Sequence, residues 1–247
     1  MVIKLQEHQE AVLEYFIANK HVRGMLLFHG TGSGKTLTAI AISEKFRYYQ
    51  EVIIIAPKSL HDNFRKELSR YANKASAERY KYISSNASNM ITKLETDIDE
   101  LTGLEIKSLH TLDNKFIIID EAHGLLNGMV NGSKNATQLY NLLMKAKNCK
   151  ILFLTASGII NNFYEVIPCL NICKGYIKNE DNINITLFPE SQDQFIKYFV
   201  DDTKLTLKNV DKLRNRMLGL VSYKGELFDH KVDSFYKMLK QTIKKEF

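Results

Sequence analysis

Two short stretches carry side chains whose types and spacing could do phosphate chemistry. The first, HGTGSGKT at residues 29–36, follows the apolar run GMLLFH and sets glycines at 30, 32 and 34 ahead of Lys35 and Thr36. Glycines at that spacing let the backbone N–H groups of Gly30, Thr31, Gly32, Ser33 and Gly34 curl around a phosphate. The helix that follows aims its N-terminus at the same anion. Lys35 then reaches the β- and γ-phosphates, and the Thr36 hydroxyl is placed to ligate Mg²⁺. The strict pattern for such a loop has glycine five residues before Gly34, where His29 stands; it is read as a spacer or packing residue of the loop.

The second stretch, FIIIDEAH at 116–123, ends an Ile-rich run in two adjacent carboxylates. Asp120 can hold Mg²⁺ through water, and Glu121 can orient and deprotonate an attacking water. A phosphate cradle and this pair together point to nucleotide hydrolysis.

Both stretches must be held by regular elements. The runs at 24–29, 51–57, 80–84, 115–120 and 150–156 are short and apolar enough to be strands buried on both faces. Helical patterns lie between them, as in LQEHQEAVLEYFIANK before the first run and SLHDNFRKELSRYA after the second. Strand then helix, repeated, predicts an α/β fold with a doubly wound, mostly parallel sheet in three α/β/α layers. Ligands of such sheets sit beyond the carboxyl ends of the strands. From about residue 175 the character changes to further helical stretches near 191–200 and 207–218, a short strand GLVSY, and a basic helical tail.

At 247 residues and 45% hydrophobic, the chain suits one ordinary α/β domain, or one domain with an appendage. A net charge of +6 favours a polyanionic partner, though charge alone leaves that open. Three cysteines, Cys149, Cys169 and Cys173, cannot form a paired framework and lack zinc spacing, so they are read as reduced thiols. Lys4 and Glu7 stand where a signal peptide would be apolar, so the sequons at Asn86, Asn131, Asn135 and Asn184 are taken as chance matches. No apolar run approaches the ~20 residues of a membrane helix. The expectation is a soluble intracellular protein with no membrane partner.

The order of motifs resembles the first RecA-like, P-loop NTPase domain of superfamily 2 helicases and translocases of the DEAH-box type. The resemblance is nearest to the poxvirus and giant-virus group with its transcription ATPases, and more distant to SNF2 translocases. It runs from about residue 5 to residue 223 and implies a RecA-like domain over 1–223, with 224–247 a basic tail or linker toward a second such domain. It implies ATP and Mg²⁺ as cofactors, with Gln9 reading the adenine; from the residues alone, an exposed helix position is the lesser alternative for Gln9. APKSLHDNF resembles motif Ia, whose Lys58 and Ser59 would contact a DNA or RNA backbone, although Ser59 also reads as a helix N-cap. SSNASN resembles motif Ib and brings in Asn86. LTASGIINN resembles motif III, whose Thr155 and Ser157 would couple the nucleotide site to nucleic acid, with His123 linking the carboxylates to it. Gly158 stands where that motif has proline, which adds backbone freedom.

A complete motor of this class carries arginines on a second RecA-like domain, and the last arginine here is Arg216. The expectation is therefore a viral ATPase motor domain whose arginine finger comes from another domain or subunit. In a host cell its place would be the cytoplasm, a viral factory or the virion. Two other classes stand beside it. One is a nucleotide-dependent docking module of a transcription or replication complex, with little hydrolysis of its own. The other is a small-molecule kinase, which would need an acceptor site.

Overall fold

Four runs rich in Ile, Leu, Val and Phe and two more polar ones form one sheet in the computed structural model, which describes residues 4–49, 51–98, 102, 104–108, 110–156, 163–201 and 206–224. The strands are β1 (Gly24–His29), β2 (Val52–Ala56), β3 (Tyr80–Ser84), β4 (Phe116–Ile119), β5 (Lys150–Thr155) and β6 (Val221–Lys224). They lie in the order β6-β1-β5-β4-β2-β3, every neighbouring pair parallel. The longer helices are α1 (Glu7–Ala18), α2 (Lys35–Lys45), α3 (His61–Tyr71), α4 (His123–Val130), α5 (Lys134–Lys145), α6 (Ile167–Lys174), α7 (Gln192–Phe199) and α8 (Val210–Met217).

Alternation along the strands divides the core between the two faces. Met25, Leu27, Ile54, Ile118 and Leu152 pack against Phe16, Ile40 and Phe64 of α1 to α3. Leu26, Phe28, Ile55, Ile119 and Phe153 pack against Leu126, Leu139, Leu170 and Leu213 of α4, α5, α6 and α8. Both faces are covered, as an all-parallel sheet requires.

At the amino ends of the strands, two cations tie layers together. Arg23 donates from Nη1 to the Ala146 carbonyl at 2.8 Å, from Nη2 to the Leu143 carbonyl and from Nε to the Ile172 carbonyl at 3.1 Å. One guanidinium thus caps the ends of α5 and α6, where carbonyls lack intrahelical partners. Lys150 sends its ammonium to the Lys20 and Val22 carbonyls at 3.0 and 2.5 Å, over the Phe46 ring, and burial lowers it to about 8.

Cys149, Cys169 and Cys173 are all buried free thiols. Among the described residues no helix is long and apolar enough to cross a membrane. Ser157, Gly158 and the tail from 225 lie outside the described residues.

Candidate active site

The loop between β1 and α2 is bent by its glycines. Gly32 and Gly34 have φ of 74° and 76°, a region that costs any residue with a Cβ. Nothing lies within 4 Å of a Cβ built on Gly32, which leaves its side of the loop open, whereas a Cβ on Gly34 would collide with Gln9 Nε2. Gln9 is buried, not exposed. It donates from Nε2 to the carbonyls of Gly34 and Ser33 at 3.1 and 3.3 Å and accepts from the Gln6 N–H at 2.8 Å, so it braces the loop from α1.

Lys35 holds the loop from within, its Nζ donating to the His29 and Gly30 carbonyls at 2.9 and 3.2 Å. Burial lowers its pKa, against the pull of the Glu121 and Asp120 carboxylates. Ser33 Oγ is buried and has no hydrogen-bond partner. An open backbone cradle, a cation bonded to carbonyls and an unsatisfied hydroxyl fit the oxygens of a phosphate chain. Thr36 stands at the second position of α2, directly after Lys35.

The carboxylates follow β4. The Asp120 N–H donates to the Ile55 carbonyl at 2.9 Å, and Asp120 Oδ1 accepts the Glu121 N–H at 2.9 Å. Glu121 has a φ of 49°, a left-handed conformation that costs about 1 kcal/mol or more for a residue of this kind. Ala122 then donates to the Leu154 carbonyl at 3.0 Å, which pins the turn to β5. Burial pushes Asp120 up to about 6; the Glu121 N–H and Lys35 oppose this, while the Glu121 and Glu67 charges add to it. A carboxylate this reluctant to ionise is suited to a divalent cation, which would supply the missing positive charge. With Thr36 it would hold such an ion, whose part is to neutralise phosphate charge.

Sheet order brings the two motifs together. β5 lies between β1 and β4, so Thr155, paired with Phe28, closes the floor between the loop and the carboxylates. His123 opens α4 with Nδ1 3.3 Å from Glu121 Oε2, an ion-pair distance. Lys58 and Ser59 sit exposed in a single turn of 3₁₀ helix after β2, and Ser59 does not cap α3, because Leu60 occupies that position. Asn86 is exposed in the turn after β3, joined to the β2 end through the Ser85 N–H and the Ala56 carbonyl at 2.9 Å. These three lie on the far half of the sheet from the phosphate loop.

Three contributors escape sequence reading. His8 places Nε2 3.0 Å from the Ser33 carbonyl, Ser222 of β6 meets His29, and Glu67 of α3 raises Asp120. Only His8, next to Gln9, had a positional hint.

A family model described as the SNF2-related domain matches residues 8–221. Among curated proteins, a termination factor NPH-I homolog of African swine fever virus is 33% identical over 223 residues, covering 83% of this chain and 29% of its own. Nucleoside triphosphatase I of Choristoneura biennis entomopoxvirus is 29% identical over 235 residues, covering 90% of this chain and 32% of its own. The chain thus spans under a third of the length of these two relatives. Among solved structures, the Sulfolobus solfataricus SWI2/SNF2 ATPase core domain superposes with a TM-score of 0.60 at 17% identity, over 94% of this chain and 45% of that one. The same core in complex with dsDNA gives 0.57, also at 17% identity, over 90% of this chain and 44% of that one. At that identity the likeness is one of fold, and it agrees with the RecA-like α/β architecture.

Proposed function

The chain belongs to the SNF2-related domain family, and on that premise we propose that it is the ATP-binding motor domain of a nucleic-acid-dependent ATPase. The observation that carries the reading is the convergence, across β5, of a phosphate cradle holding Lys35 with the buried Asp120 and the strained Glu121. Lys35 and the loop amides would bind the phosphates, Thr36 and Asp120 would hold Mg²⁺, and Glu121 would position and deprotonate the attacking water. Gln9 braces the loop and would also face the base, while His123, Thr155 and Ser157 would relay the nucleotide state. Lys58, Ser59 and Asn86 would bind the backbone of DNA or RNA without reading bases.

Completion of the site by a second RecA-like domain or subunit is part of the proposal. Six of the arginines are engaged elsewhere: Arg23 caps helices, Arg47 and Arg79 bond Glu44, Arg65 lies over Tyr82, Arg214 pairs with Asp211 and Arg216 bonds Leu187. That arrangement supports an arginine finger supplied from outside these residues. The viral relatives, one of them named as a termination factor homolog, support service in a transcription complex.

The test is steady-state ATP hydrolysis with no nucleic acid, single-stranded DNA, duplex DNA and RNA, beside Lys35→Ala and Glu121→Gln. The expected result is nucleic-acid-stimulated turnover that Lys35→Ala abolishes and that falls roughly 10² to 10⁴-fold in Glu121→Gln, with ATP still bound by the latter. ATP binding with no turnover even after a second domain is supplied would favour the docking module instead.

A further inference from the structure

His29 stands where this class of loop has glycine, and it is wholly buried. Its Nε2 lies 2.8 Å from Ser222 Oγ on β6, and its ring meets the His8 ring edge to face at 5.3 Å. Burial, with the nearby His8, Lys35 and Lys224 charges, holds it down to about 3, so the ring that meets Ser222 is neutral. β6 is the edge strand beside β1 and carries the last described residue, Lys224.

The peptide unit joining His29 to Gly30 belongs to both partners. Its carbonyl accepts the Lys35 ammonium at 2.9 Å, and its N–H donates to the Lys224 carbonyl at 2.6 Å. The unit is planar and rigid, so ammonium, peptide and Lys224 carbonyl form one polarised chain in which the charge at one end strengthens the bond at the other. A phosphate that takes the Lys35 ammonium removes that charge from the chain.

We propose that His29 is a positioning residue that, by fastening β6 to the phosphate loop through Ser222, makes the 29–30 peptide a relay between Lys35 engagement and the end of β6. Phosphate binding at the loop then loosens the Gly30–Lys224 bond, and the carboxyl end of β6 senses nucleotide occupancy. The relay rests on the nucleotide-binding reading above and adds to it a path that bypasses motif III.

Amide hydrogen exchange tests this, with the protein in the presence and absence of Mg²⁺ and a non-hydrolysable ATP analogue. Read residue by residue, exchange in the parent protein should slow at amides 31–34 and quicken about threefold or more at Gly30, whose N–H donates to the Lys224 carbonyl. Ser222→Ala should keep the slowing at 31–34 and lose most of the quickening at Gly30, and Ser222→Thr, which retains the hydroxyl, should restore it. A merely structural Ser222 would raise exchange at Gly30 equally with and without the analogue. Slowing, or no change, at Gly30 in the parent, or an equal response in Ser222→Ala, overturns the relay. No response at 31–34 in the parent overturns the nucleotide reading itself.

Discussion

Asp120 sets the site's function against the stability of the fold. Its folded-state pKa of about 6 lies above its ordinary 3.8, so the folded protein holds a proton that the unfolded chain has released. Below about pH 4 both states are protonated and the residue is neutral in its effect; between pH 4 and 6 the folded state loses ground as pH rises. Asp120→Asn keeps an acceptor for the Glu121 N–H while removing the charge. Denaturant unfolding without metal should find the variant no more stable than the parent near pH 4 and about 2 to 3 kcal/mol more stable near pH 7. In ATPase assays the same variant should be inactive. Lys35, Asp120 and Glu121 were legible in the sequence because each stands in a short segment whose local pattern phosphate chemistry dictates. Ser222 and Glu67 were not, because their contacts depend on which strands and helices become neighbours.

At the scale of elements, the strands announced themselves and some helices did not. Four of the six strands of the sheet are unbroken Ile-, Leu-, Phe- and Val-rich runs, since a strand buried on both faces has no polar side to show; the run at 80–84, expected to be buried on both faces, is instead an edge strand with Lys81 exposed, because only one of its sides has a neighbouring strand. The sixth, Val221–Lys224, overlaps the GLVSY stretch and runs one residue past it. The segments that became α4 and α6 give weak signals: HGLLNGMV contains two glycines, and IPCLNICK is buried almost all round, so neither shows a clear helical period. These two helices depend on tertiary support, which Arg23 gives α6 together with α5. Arg23→Ala should destabilise the domain by about 2 to 4 kcal/mol in chemical unfolding, because it strips three helix-end carbonyls of one shared donor. Arg23→Lys should recover little of this, since a single ammonium cannot reproduce the fork.

As a whole molecule, the chain gathers its nucleotide chemistry at the β1, β5 and β4 ends and its nucleic-acid candidates at the β2 and β3 ends, on one rim of one sheet. Under the proposed function that rim is where a second RecA-like domain docks. Supplying such a domain in trans should raise ATP turnover by about 10³-fold or more while changing ATP affinity far less, as read from kcat against KM. The position of β1 also bears on how the protein is made. This strand is synthesised first, at residues 24–29, yet its two neighbours are Lys150–Thr155 and Val221–Lys224. On the ribosome β1 therefore keeps one edge unpaired until some two hundred further residues have emerged, and until then Gln9 and Lys35 brace the phosphate loop without the bond from Gly30 to the Lys224 carbonyl.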